Sequence, residues 1–129
     1  MNLNGFSKWF DYSGNDEFTH ANKVIWVLKD IYENYVFPDA IVVPVIEENL
    51  TLIELVKEAY KVERETTKQI GFLKEKAEQE NEPHIYSFLV EFAKEQLEEE
   101  AKLKTLLDEL SIVQDNPAAI LMLDKHYAK

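Results

Sequence analysis

The sequence predicts an all-α protein, an up-down bundle of three long helices followed by a short fourth one. Three stretches place apolar residues at alternating steps of three and four, which is the spacing of one helix face. Residues that break helices are scarce, since only 3 Gly and 4 Pro occur among 129 residues. Residues 41–46 are apolar and largely β-branched, but no second strand is visible with which they could pair. We therefore expect a single domain over residues 1–129.

The first long helix is predicted over residues 3–33. Its weakest part is residues 11–16, Asp-Tyr-Ser-Gly-Asn-Asp, which by themselves resemble a turn followed by an N-cap. Gly14 adds to the weakness, because a glycine inside a helix costs roughly 1 kcal/mol relative to alanine. Two interpretations remain: one continuous helix, which we favour, or a short helix, a break, and a second helix from about Asp16.

Residues 34–48 are predicted to be a long crossover that packs along the bundle. Pro38 and Pro44 interrupt it, and both disfavour a helix there. A segment of this length, extended at about 3.3 Å per residue, spans roughly 50 Å. A helix of 30 residues is about 45 Å long. The crossover can therefore return along the first helix, so that the second helix runs parallel to it.

Two further long helices and the short one complete the bundle. They are predicted over residues 49–79, 83–111 and about 116–126. Asn49 or Thr51 is expected to cap the second helix, and Gly71 inside that helix is interpreted as a mark of close packing. Pro83 follows a short turn and stands at or near the first position of the third helix. That short turn makes the third helix antiparallel to the second.

Each long helix has polar residues at the centre of its apolar stripe. The midpoints of the three helices, near residues 18, 64 and 97, fall at one level of a bundle, so these polar side chains are expected to meet. The stripes are Phe6, Phe10, Ser13, Glu17, His20, Val24, Val27 and Ile31; Leu52, Val56, Ala59, Glu63, Thr66, Ile70, Leu73 and Ala77; and Ile85, Leu89, Phe92, Gln96, Glu99, Leu103, Leu106 and Leu110.

The polar residues at this level predict a metal centre. A buried, unpaired carboxylate costs several kcal/mol, so buried acids usually have a partner or a metal. Glu17 and His20 form Glu-x-x-His, which puts both side chains on one helical face. Carboxylates and imidazole in a bundle core are the ligands of di-iron and di-manganese sites. Taken singly, His20 could be a structural core residue and Glu63 part of a surface salt bridge. The coincidence on three helices favours the metal.

Composition excludes several other classes of function. The net charge is −11, from 25 acidic and 14 basic residues, which opposes binding to nucleic acid and favours cations. The absence of Cys excludes disulfides and cysteine catalysis and fits a cytoplasmic protein. We find no signal peptide and no apolar run of about 18 residues, so no membrane span is expected.

Over almost its whole length the sequence resembles the bacterial and archaeal non-haem ferritins, from their second helix onward. The segment that resembles them most specifically is residues 87–100, Ser-Phe-Leu-Val-Glu-Phe-Ala-Lys-Glu-Gln-Leu-Glu-Glu-Glu, which is similar to their fourth helix. Asp-Glu-Phe-Thr-His-Ala at residues 16–21 stands where ferritins have Glu-Glu-x-x-His-Ala. Other similar segments are residues 5–10, 60–63 and 123–125, and residues 42–46 fit the long loop that forms part of the ferritin dimer contact.

This resemblance implies an iron site and roles for its residues. Glu17 would bridge two irons, His20 would bind the first, Glu63 and Glu99 would bind the second, and Gln96 would line the centre. Accessory iron ligands would be Asp16, Glu95 and Glu98, whereas Glu100 is expected to be solvated. Haem is not expected, because Phe18 stands where bacterioferritins have the haem-ligating Met.

Ferritins take a further iron-ligating Glu from their first helix, which this sequence lacks. The resemblance therefore implies an incomplete first iron site and leaves ferroxidase activity uncertain. The expected function is binding of Fe(II), with oxidation by O₂ for storage. The alternative is a structural or assembly protein with a degenerate metal site. An apolar seam where the missing helix would pack is expected to be covered by another copy of the chain, in an obligate homo-oligomer or a cage.

Overall fold

A computed structural model describes residues 1–33, 39–43, 45 and 47–129, and its helices confirm the all-α fold class. The four helices are α1 (Asn4–Tyr32), α2 (Leu52–Gln79), α3 (Pro83–Val113) and α4 (Pro117–Tyr127). No helix in the described part of the chain is long and apolar enough to cross a membrane. The chain divides into two compact units, one with α1 and α4 and the other with α2 and α3.

Helix α1 is continuous through the stretch that resembles a turn. Residues 11–16 are helical throughout, so the first of the two interpretations is confirmed. The hydroxyl of Ser13 donates to the Trp9 carbonyl one turn earlier, at 3.0 Å. The side chain of Ser13 thus has a hydrogen-bond acceptor within the helix. Glu33 ends α1 in the left-handed conformation, with φ of 51°, and its backbone N–H donates to the carbonyl of Leu28.

Helix α4 packs on the first turn of α1. Gly5 allows this approach, because a Cβ at that position would lie 1.7 Å from the carbonyl oxygen of Asp124. The backbone N–H of Phe6 donates to Asp124 Oδ1 at 3.0 Å in a buried hydrogen bond. The ring of Phe6 stacks on Tyr127, with centroids 5.4 Å apart. Contacts from α4 thus anchor the beginning of α1.

Helix α2 begins with a complete capping box. Thr51 Oγ1 accepts from the backbone N–H of Glu54, whose carboxylate accepts in return from the backbone N–H of Thr51 at 2.8 Å. Of the two candidates, Thr51 is therefore the N-cap; Asn49 precedes it with φ of 74°. The interpretation of Gly71 as a mark of close packing was wrong, since a Cβ there would have no described atom within 4 Å.

Helices α2 and α3 form an antiparallel hairpin with an apolar interior. They are joined by a turn at residues 80–82, and Pro83 occupies the first turn of α3 as predicted. Ile70, Ala77 and Leu89 form a buried cluster near this turn. The other buried apolar side chains of this unit are Val56, Leu103, Leu106 and Leu110. Gln96 on α3 is also buried, at 2% exposure, which places a polar side chain inside this interior.

Part of the predicted crossover lies outside the described residues, including Pro38, Pro44 and Ile46. In the described part, the side chains of Ile41, Val42, Val43 and Val45 are 80–97% exposed. The prediction that this stretch packs along the bundle is therefore wrong for the single chain. The periodic pattern of a helix identifies which face is buried, but an irregular apolar run carries no such information.

Candidate metal centre

Helix α1 brings Glu17 and His20 together. They are one turn apart, and His20 Nδ1 lies 3.6 Å from Glu17 Oε2. The His20 side chain is 14% exposed and that of Glu17 is 55% exposed. The predicted Glu-x-x-His pair therefore presents a carboxylate and an imidazole side by side. Asp16, predicted as an accessory ligand, is half-buried on the same helix.

The second half of the predicted site joins α2 to α3 through Glu63 and Gln96. Gln96 Nε2 donates to Glu63 Oε2 at 2.5 Å and to the carbonyl oxygen of Glu63 at 3.3 Å. One amide nitrogen therefore holds both the carboxylate and the backbone of the same residue. Hydrogen bonds to an ionised acceptor are the stronger kind. This contact satisfies the buried amide of Gln96 inside the apolar hairpin.

Glu99 is placed one turn from Lys102, with 2.5 Å between Oε1 and Nζ. Its side chain is partly buried, at 21% exposure. The carboxylate therefore interacts with a cation from its own helix. Of the predicted accessory ligands on α3, Glu95 is half-buried and Glu98 is exposed.

The expectation that Glu100 is solvated was wrong. Its side chain is half-buried, and its Oε2 accepts from the hydroxyl of Thr67 on α2 at 2.8 Å. Neither Thr67 nor Glu100 was predicted to belong to the polar region. A signal was present, because Thr67 follows Glu63 by four residues and Glu100 follows Gln96 by four, so each pair shares a helical face.

The predicted ligands therefore occur in two sets, Glu17 with His20 in one unit and Glu63 with Gln96 in the other. Across residues 1–33, 39–43, 45 and 47–129, no group of three or more His, Asp or Glu side chains is arranged to hold a metal ion. The donor atoms themselves, carboxylate oxygens and one imidazole, suit iron or manganese. Their chemistry fits the predicted metal.

Comparison with known proteins identifies the family. The family model described as Ferritin-like domain matches residues 1–113. The chain is 28% identical to a bacterial non-heme ferritin of Staphylococcus epidermidis over 124 residues, or 96% of this chain and 74% of the relative. A Staphylococcus aureus protein of the same description is 29% identical over 121 residues, covering 94% and 72%.

Solved structures support the same assignment. An open pore ferritin from the archaeon Archaeoglobus fulgidus matches with a TM-score of 0.91 and 30% identity, over 98% of this chain and 77% of that one. A structure described as a humanized archaeal ferritin matches with a TM-score of 0.91 and 28% identity, over 98% and 76%. The chain belongs to the ferritin family.

Proposed function

We propose that this protein binds Fe(II) as its substrate and stores iron after oxidation by O₂. The observation that carries the proposal is the contact of the buried Gln96 amide with the Glu63 carboxylate, in a hairpin whose other fully buried side chains are apolar. A partly buried glutamate at this position lowers the stability of the fold unless its carboxylate has a partner. Binding of a cation would explain why a glutamate is present there. Membership in the ferritin family supports the same function.

In this proposal the chain is a single domain, and each of its compact units supplies iron ligands. Glu17 and His20 would bind iron in the unit of α1 and α4, and Glu63 and Glu99 would bind iron in the unit of α2 and α3. Gln96 orients Glu63 by its two hydrogen bonds. Iron binding at Glu99 replaces its contact with the Lys102 ammonium. Asp16, Glu95 and Glu98 are the accessory ligands, and the protein works in the cytoplasm.

An iron-loading assay tests the proposal. Glu63→Ala and His20→Ala are expected to lower the rate of Fe(II) oxidation and the iron content of the protein, because each removes a ligand. Glu58→Ala is the matched control, since Glu58 is an exposed glutamate of α2 that pairs with Lys61 at 3.6 Å. Oxidation rates and iron contents equal to wild type in both ligand variants would refute the site.

The second candidate is an assembly protein that retains the scaffold with a non-catalytic metal site. The ion pair between Glu99 and Lys102 favours this function, because the carboxylate of a predicted iron ligand is then paired with a lysine ammonium. Fe(II)-dependent O₂ consumption separates the two functions. Consumption above that of a Glu63→Ala variant supports the ferroxidase, and consumption equal to that variant supports the assembly protein.

A further inference from the structure

Four side chains on α2 and α3 form one connected polar network around Glu63. The hydroxyl of Thr67 lies 3.0 Å from the Glu63 carbonyl oxygen and 2.8 Å from Glu100 Oε2. Gln96 Nε2 also reaches the Glu63 carbonyl oxygen, at 3.3 Å, together with the Glu63 carboxylate. Thr67 and Gln96 therefore approach the same acceptor, and Glu100 offers Thr67 a different one.

The number of hydrogens on each donor decides which acceptor each donor uses in this network. The Thr67 hydroxyl has one hydrogen, so it donates fully to only one acceptor, whereas the Gln96 amide has two hydrogens. A carboxylate is a stronger acceptor than a neutral carbonyl. The Thr67 hydrogen therefore belongs to Glu100, and the two Gln96 hydrogens belong to the carbonyl and the carboxylate of Glu63. In this arrangement the Thr67 hydroxyl and the Gln96 amide no longer share an acceptor.

We propose that Glu100 is a positioning residue for the Glu63 carboxylate, and that it acts through Thr67 and Gln96. Because Glu100 accepts the hydrogen bond of the Thr67 hydroxyl, the Glu63 carbonyl remains available as an acceptor for the Gln96 amide. Without that acceptor, the Thr67 hydroxyl turns to the Glu63 carbonyl, four residues back in the same helix. It then competes with Gln96, and the Glu63 carboxylate loses its fixed orientation.

The inference rests on the proposed function, because it assigns a role to residues behind a metal ligand. Mutation of a group that orients a metal ligand lowers metal affinity by roughly 10–100-fold. Glu100 itself need not touch the metal. Its effect therefore disappears when Thr67 has no hydroxyl, and this dependence distinguishes positioning from a general loss of charge or packing.

The test uses Co(II) as the probe metal with the full chain. Glu100→Leu and Glu100→Gln both remove the charge, but the glutamine retains an acceptor oxygen of similar reach. We expect Glu100→Leu to bind Co(II) about tenfold more weakly than Glu100→Gln, in titrations followed by the Co(II) absorption bands. Adding Thr67→Val to Glu100→Leu is expected to restore most of the lost affinity.

Crystal structures of the metal-free variants supply a readout that does not depend on metal binding. In Glu100→Leu, Gln96 Nε2 is expected to leave the Glu63 carbonyl, and in the double variant to return. Equal Co(II) affinity of Glu100→Leu and Glu100→Gln, or an unmoved Gln96, would overturn the inference. Wild-type Co(II) affinity in Glu63→Ala would instead overturn the proposed function, while the crystal structures would still report on the network.

Discussion

Gln96 shows at the scale of one residue why a polar side chain persists in an apolar stripe. It is 2% exposed, yet its amide nitrogen has two acceptors, both on Glu63. A buried polar group costs stability only when it lacks a partner. The apolar stripe of α3 can therefore include Gln96, because Glu63 of α2 supplies hydrogen-bond acceptors directly opposite it. This pairing makes Gln96 and Glu63 interdependent.

We expect Gln96→Leu to destabilise the metal-free protein by about 1–3 kcal/mol. The leucine fills the space but removes the donor that Gln96 supplies to the partly buried Glu63 carboxylate. Urea unfolding of the metal-free protein measures the change in free energy of unfolding.

The double variant Gln96→Leu/Glu63→Leu is the control for this prediction. Replacing both partners by apolar side chains leaves no desolvated group, so much of the lost stability is expected to return. A double variant whose loss equals the sum of the two single losses would contradict the interdependence of the pair.

At the scale of elements, α1 depends on another helix for its N-cap. The residue before α1, Leu3, has no side chain that can accept a hydrogen bond, and no side-chain cap forms there. Asp124 of α4 accepts from the Phe6 N–H instead and places its carboxylate at the helix N-terminus. Capping bonds of this kind satisfy backbone donors that the helix leaves unpaired. The docking of α4 and the beginning of α1 therefore stabilise each other.

Asp124→Ala is expected to destabilise this unit by about 1 kcal/mol, the usual value of a helix cap. Hydrogen exchange should show faster exchange at the Phe6 amide and along α4. Asp124→Asn keeps an acceptor oxygen and is the matched control. Gly5→Ala should undock α4 as well, because its Cβ would overlap the Asp124 carbonyl. Unchanged exchange of α4 in both Asp124→Ala and Gly5→Ala would contradict the mutual dependence.

The capping box of α2 makes the stability of that helix depend on pH. Hydrogen bonds from the Thr51 hydroxyl and then the Thr51 backbone N–H lower the pKa of Glu54 below its ordinary value of 4.5. A lowered pKa means that the ionised form is favoured in the folded state. Its contribution is therefore complete above the unfolded pKa and is lost as the pH falls through the lowered folded value.

We expect Glu54→Gln to be less stable than wild type near neutral pH, with the difference shrinking as the pH falls below the ordinary glutamate range. Urea midpoints of the two proteins across that range give the difference directly, and the titration of the other carboxylates cancels in the comparison. A difference that does not change with pH would show that the Glu54 charge contributes nothing.

At the scale of the whole molecule, we expect a homo-oligomer. Two large aromatic side chains of α1 are prominently exposed, Phe18 at 74% and Trp26 at 61%. Exposed apolar surface of this kind marks interfaces. Sedimentation velocity of the full chain is expected to show an assembly, and a stable, well-folded monomer would contradict it. Phe18→Lys and Trp26→Lys should shift the distribution toward smaller species, with Lys57→Glu on the exposed face of α2 as the control.

Much of the fold and part of the site could be predicted from sequence because their signals are local. The four helices lie close to their predicted positions, since hydrophobic period, caps and prolines act within a few residues. Glu63 and Gln96 were expected at one level of the bundle, and their hydrogen bond joins the helices there. The Glu17–His20 proximity likewise follows from a spacing of three residues along one helix.

The sequence by itself thus determined where the helices lie, which residues interrupt their apolar faces, and the kind of ligand those residues offer. Only the tertiary structure decided the partners across helices: Thr67 with Glu100, and Asp124 with the first turn of α1. It also showed that a Cβ at the position of Gly71 would have no neighbour within 4 Å among the described residues. The reason is physical. Periodicity states which face of a helix is buried, whereas the register and rotation that bring two side chains within hydrogen-bonding distance depend on how both helices pack.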